Sequence, residues 1–217
     1  MVEIIQAVIR AILFDLDGVL VSFADCHYEA LNLALQEVCG LPVAPQERGI
    51  FEGLSTRQKL AMMVAMGQIP SGTEDAIYRL KQAHTMRLAE ERVESDPVKI
   101  LMCRRLGMHV SNLACVSNCI RASVEVLLTK AGLRQFMEIT VSNEDVVHPK
   151  PAPDPYLLAC QRLHVDPRET LAVEDHDRGV QSAQDAGCHV VQLEYERVNY
   201  LMITRALDGI RKASHRK

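Results

Sequence analysis

Five short apolar runs, each followed closely by polar residues, divide this chain of 217 residues: 11–14, 113–116, 139–141, 170–173 and 189–193. Runs so short and so continuously apolar or β-branched predict strands covered on both faces, as in a parallel sheet. Helical patterns lie between them. Residues 124–131 are apolar at Val124, Leu127, Leu128 and Ala131, with Gly132 as a stop. Asp154-Pro155 predicts an N-cap and a proline at N1 of a helix running to Leu163. Two more helices are expected over 179–186 and 198–210. Strands alternating with helices predict an α/β fold, a doubly wound parallel sheet.

Residues 22–94 break the alternation. Three helices fit them: 27–38 closed by Gly40, 56–66 closed by Gly67, and 73–91. This stretch is inserted directly after the first strand. It is therefore expected to form a small helical domain over the carboxyl edge of the sheet, with 1–21 and 95–217 as the core domain. Hinges are expected near 21–25 and 92–97. Met62, Met63 and Met66 follow helical spacing and read as the core of the insertion. The residues before Arg10 are expected to be an edge strand or a frayed end.

The net charge of −4 gives no broad basic field, so a nucleic-acid partner is not expected. No apolar stretch approaches the ~20 residues of a membrane span. The first residues, Met1 to Gln6, lack the basic start of a signal peptide. Seven scattered cysteines without a C-x-x-C pair suggest reduced thiols and a cytoplasmic chain. Cys115 and Cys119 read as thiols buried around a strand end. Nothing demands more than a monomer.

The polar residues at the strand ends carry the chemistry. Asp15 and Asp17 sit one residue apart after the first run, so both carboxylates reach one site. Ser117 and Asn118 follow the second run, Lys150 the third, and Glu174-Asp175 the fourth. Crowded carboxylates ask for a cation, and oxygen donors favour Mg²⁺. The set suits phosphoryl transfer from a small phosphorylated metabolite. Two like charges about 4 Å apart repel by about 4 kcal/mol at a dielectric of about 20. A metal and an ammonium offset that repulsion and stabilise the transition state. Asp15 is expected to attack phosphorus, and Asp17 to protonate the leaving oxygen and then activate water. The Asp17 pKa is expected to rise beside a dianion. Lys150 is expected to hold the phosphoryl group and orient Asp15, with Ser117 and Asn118 hydrogen-bonding its oxygens. Asp15, Asp175 and a backbone carbonyl at Asp17 are expected around the metal, with Glu174 in an outer shell.

The motifs Asp15-Leu16-Asp17-Gly18-Val19, Ser117-Asn118, Lys150-Pro151-Ala152-Pro153-Asp154 and Val173-Glu174-Asp175 followed by Gly179 resemble the haloacid dehalogenase superfamily over essentially the whole chain. The insertion is similar to the cap of its β-phosphoglucomutase and phosphoglycolate phosphatase branch. The resemblance implies Mg²⁺-dependent phosphatase or phosphomutase chemistry through a phospho-aspartate. It also implies strand order 5-4-1-2-3 and a cap that closes over the substrate. Asp17 disfavours dehalogenases and phosphonate-cleaving relatives, which lack that carboxylate. By the same resemblance, the loop carrying Gly53, Ser55 and Arg57 is a specificity loop, with Arg57 for an anionic part of the substrate. Lys81 matches a cap lysine, and His27 a histidine of the mutases; each also fits a plain helical role. His176 is expected in an outer shell or at the surface, and Asp177 as a helix N-cap. His84, His109, His164, His189 and His215 fit no constellation. The leading expectation is a phosphatase, the alternatives a sugar phosphomutase or a non-catalytic binding protein.

Overall fold

The computed structural model describes residues 9–42 and 47–214. The expectations for the residues before Ile9 and for His215 lie outside the described residues. Five strands, β1 (Ala11–Phe14), β2 (Asn112–Val116), β3 (Ile139–Val141), β4 (Thr170–Glu174) and β5 (His189–Gln192), form one parallel sheet in the order β3-β2-β1-β4-β5. This is the expected order read from the other edge. Phe14 pairs with Cys115 on one side and Val173 on the other. The chain therefore leaves three adjacent strands at one level, just before Asp15, Ser117 and Glu174-Asp175.

Alternate residues face opposite sides of the sheet. Ile12, Phe14, Leu113, Cys115, Leu171 and Val173 belong to a core shared with α5 (Pro97–Leu106), α6 (Arg121–Lys130) and α9 (Tyr200–Ser214). Ala11, Leu13, Ala114, Val116 and Ala172 pack against α7 (Asp154–Leu163) and α8 (Asp177–Asp185). Burying each large side chain contributes about 1.5–3 kcal/mol, so two covered faces fix the register firmly.

The insertion forms α1 (Ala24–Cys39), the single turn α2 (Arg48–Phe51), α3 (Thr56–Ala65) and α4 (Glu74–Arg92). Leu31, Leu35, Phe51, Leu60, Met63 and Ile77 make a separate apolar cluster among them. Ala30, Leu88 and Ala89 pack instead with the main core, so α1 and α4 join the two parts. Glu29 near the start of α1 takes both prongs of Arg92 at the end of α4, at 2.5 and 2.8 Å.

The structure corrects several local expectations. Residues 97–106 form a helix that the sequence reading did not place, starting where the hinge expected near 92–97 ends, with Asp96 capping the Val98 and Lys99 amides at 2.9 and 3.1 Å. Asp154 is the first residue of α7 and not its cap; its carboxylate meets His148 Nδ1 at 3.0 Å. The N-cap of α8 is His176, whose Nδ1 accepts from the Arg178 amide at 3.2 Å, and Asp177 is already helical. Only Met63 of the three methionines is buried; Met62 and Met66 face outward. Among the described residues no helix is long and apolar enough to cross a membrane.

Candidate active site

Lys150 organises the strand ends. Its ammonium donates to Asp15 Oδ1 at 2.6 Å, Glu174 Oε1 at 2.6 Å and the Val116 carbonyl at 2.7 Å. A lysine has three donors, and all three are used. Burial alone would lower its pKa, but the carboxylates of Asp15 and Glu174 outweigh it and keep the ammonium charged. Glu174 is pulled both ways, since burial raises its carboxyl and Lys150 opposes this. At 2.6 Å from a charged lysine, the carboxylate is the form that fits.

Asp17 lies in the loop after β1, and Asp175 directly follows β4. Asp17 Oδ1 accepts the Phe23 amide at 2.7 Å. Burial pushes the Asp17 carboxyl up to about 7; the Phe23 amide opposes this, and the charges of Asp15 and Asp175 add to it. The rise expected from a bound dianion thus arises from the protein itself. Burial, then repulsion by Asp15, likewise raises Asp175 to about 7. Gly18 has φ +86°, and a Cβ there would overlap the Asp175 carboxylate. Gly179 is equally constrained, because a Cβ would overlap the Glu174 carboxylate. Glycine at both positions lets backbone and carboxylates approach.

Asp15, Glu174 and Asp175 each offer an oxygen within 4.8 Å of the others. All three donors are hard carboxylate oxygens, the kind Mg²⁺ takes. Lys150 is one positive charge against these three carboxylates, so the group remains short of neutralising charge. The site therefore fits a divalent cation. The side chain of Asp17 does not join this trio.

A cavity of about 250 Å³ opens on these groups beneath α1, α3 and α4. Ser117 lines it, buried, its Oγ accepting the Cys119 amide at 3.1 Å and leaving its proton to donate. Gly53 also lines it, with φ +71°, hard against His176. His27 lies between Lys81 Nζ, 3.4 Å from Nδ1, and Cys119 Sγ, 3.2 Å from Nε2. Burial, with Lys81 and Lys59 adding, holds His27 well below its ordinary value, so it is neutral.

Three expected binding residues are placed otherwise. Asn118 lines the cavity, but its amide is spent on backbone, donating to the Gly53 and Lys150 carbonyls at 2.9 and 3.0 Å and accepting the Lys150 amide at 3.0 Å. Ser55 caps α3 in a reciprocal pair with Gln58. Arg57 faces away from the cavity, paired with Asp75 at 2.7 Å and stacked on Tyr78 at 4.2 Å.

The sequence reading missed Lys59, Arg48 and Gln82, all of which line the cavity. Lys59 stands one helical turn after Thr56, another lining residue, so helix spacing from the loop was the available signal. Lys59 and Lys81 meet no carboxylate at ion-pair distance among the described residues. Burial lowers both, Lys81 to about 8. Two desolvated ammoniums facing one cavity favour an anion.

The sequence model of the haloacid dehalogenase-like hydrolases matches residues 12–193. This chain belongs to that family. It is 29% identical over 194 residues to the phosphoglycolate phosphatase of Nitrosospira multiformis, covering 86% of this chain and 84% of that one. It is 30% identical over 209 residues to the phosphoglycolate phosphatase of Escherichia coli, with 86% and 82% covered. Among solved structures, CbbY from Rhodobacter sphaeroides in complex with phosphate superposes with a TM-score of 0.74 at 25% identity, covering 87% of this chain and 88% of that one. The β-phosphoglucomutase of Clostridium difficile shares the fold, with a TM-score of 0.77 at 17% identity over 93% and 98% of the chains. This haloacid dehalogenase-like hydrolase is a phosphatase acting on a small phosphorylated metabolite.

Proposed function

We propose that the enzyme hydrolyses the phosphomonoester of a small metabolite that carries a second anionic group, with Mg²⁺ as its metal. The observation behind this reading is one cavity with two charged poles. The Asp15, Lys150, Glu174 and Asp175 cluster forms one. Lys59 and Lys81 form the other. The relatives named for phosphoglycolate, which pairs a phosphate with a carboxylate, agree with such a substrate.

Asp15 attacks phosphorus and its oxygen bonds to it as the ester oxygen departs. Asp17, raised to about 7, is poised to give that oxygen its proton. Asp17 then takes a proton from water, which attacks the acyl phosphate, releasing phosphate and restoring Asp15. Lys150 holds Asp15 in line, and the Ser117 hydroxyl donates to a phosphoryl oxygen. Asp15, Asp175 and Glu174 would hold Mg²⁺, which when bound offsets the charge on the phosphoryl oxygens.

A mutase reading draws on His27 in the cavity wall. Both its ring nitrogens are engaged, by Lys81 and Cys119, which favours hydrolysis. The test is phosphate release from a metabolite panel with and without EDTA. We expect Mg²⁺-dependent turnover, with kcat/KM at least about tenfold higher for substrates bearing a second carboxylate or phosphate than for neutral-tailed ones. Equal rates on neutral sugar phosphates would overturn the second-anion reading. Conversion of β-glucose 1-phosphate to glucose 6-phosphate, followed by NMR, would establish the mutase instead.

A further inference from the structure

Tyr156 lies outside the cavity wall but touches two of the charges that build the site. It is fully buried on α7. Its hydroxyl donates to Glu174 Oε1, the same oxygen that receives Lys150 Nζ. Its ring face lies 5.0 Å from the Lys150 ammonium. Filling this space requires only a phenyl ring. A hydroxyl there would cost free energy if it made no hydrogen bond, so its bond to Glu174 is the reason a tyrosine is tolerated.

The consequence runs through Lys150. Of its three acceptors, the Val116 carbonyl is held in place by the backbone of β2, whereas Asp15, just past β1, reaches it by its side chain. Glu174 reaches it on a flexible side chain. Gly179 leaves room for that carboxylate without gripping it. Tyr156 supplies the missing anchor from a rigid helix.

We propose that Tyr156 is a positioning residue for phosphoryl transfer: by fixing Glu174 it fixes the Lys150 ammonium, and through it the Asp15 carboxylate. This rests on the reading of Asp15 as nucleophile, which has its own test. Asp15→Asn that retains activity overturns that reading, whatever Tyr156 does.

The experiment compares Tyr156→Phe in the wild-type enzyme and in a Glu174→Gln background, with an activated aryl phosphate to keep slow variants measurable. Tyr156→Phe keeps the ring and its contact with Lys150 and removes one oxygen. We expect kcat to fall about tenfold with KM within about twofold, because no substrate contact is lost. In the Glu174→Gln background the same change should cost less than about twofold, since a neutral amide no longer makes the charged link from the hydroxyl to Lys150. An unchanged kcat with a lowered Tm would make Tyr156 a packing residue and overturn the proposal. Equal losses in both backgrounds would also overturn it. Should the Phe variant not fold, 3-fluorotyrosine at position 156 keeps the volume and alters the donor. A kcat that moves then supports the proposal, and one that does not overturns it.

Discussion

Lys150 has no spare donor, and that makes it the most exacting residue of the site. Lys150→Met would leave two buried carboxylates facing each other without a cation. We expect stability to fall by about 3–5 kcal/mol in denaturant titration, as for other broken buried pairs, and phosphate release to be lost. The cap cations separate by direction. Lys59→Ala should lower kcat/KM at least about tenfold on substrates with an anionic tail, whereas Arg57→Ala should stay within about twofold. The reverse result in steady-state kinetics would move the second pole to Arg57. Such distinctions were beyond the sequence. Asp15, Asp17 and Asp175 were legible because each closely follows a strand, where the backbone alone brings side chains together, and Lys150, in the loop beyond β3, because of its Lys150-Pro151-Ala152-Pro153-Asp154 motif. Arg57, Ser55 and Asn118 were not, because competition for partners decides their roles. Asp75 and Gln58 engage Arg57 and Ser55, and the Gly53 and Lys150 carbonyls occupy the Asn118 amide within the cavity wall.

At the level of the element, the turn after β3 braces the loop that follows β2. Asn143 donates from its amide side chain to the Asn118 carbonyl at 2.8 Å and from its backbone to the Cys119 carbonyl at 3.0 Å. Asp145 holds this turn, accepting from Ser142, Arg162 and Arg121. Burial would raise its carboxyl, but the Ser142 and Arg162 donors overcome it and hold it at about 2. The folded value lies below the ordinary 3.8, so this stabilisation is complete above pH about 4 and disappears as pH falls towards 2. Its size is about 2 kcal/mol. The stability difference between wild type and Asp145→Asn should therefore shrink from that value at pH 6 to near zero at pH 2, as read by urea unfolding. A constant difference would refute the assignment. Strand identities were readable from apolar runs alone, but helix starts were less so. The same Asp-Pro pair precedes α5 and α7, yet aspartate caps the first and is helical in the second. Tyr195, far away in the sequence, donates to Asp96, whereas His148 in the adjoining loop meets Asp154, so the two carboxylates are engaged differently.

For the whole molecule, the parallel sheet was legible in the apolar runs and its strand order through the family resemblance, and the insertion after β1 announced itself as a break in the alternation. What lay hidden was how the inserted helices meet the sheet, since that depends on side chains from segments far apart in sequence. Three crowded carboxylates also leave the folded enzyme under electrostatic stress. Mg²⁺ at 100 times its Kd should add about 2.7 kcal/mol, raising Tm by about 5–10 °C in a thermal scan. Asp175→Asn should abolish the rise. No shift in the wild-type protein would rule out these carboxylates as a Mg²⁺ site.

The Glu29–Arg92 clasp holds the two ends of the inserted helices side by side. The insertion is thereby a cassette with adjoining plugs. Exchanging it for a foreign helical cassette would retune which molecules are accepted, while the machinery at the strand tips goes on cutting the same bond.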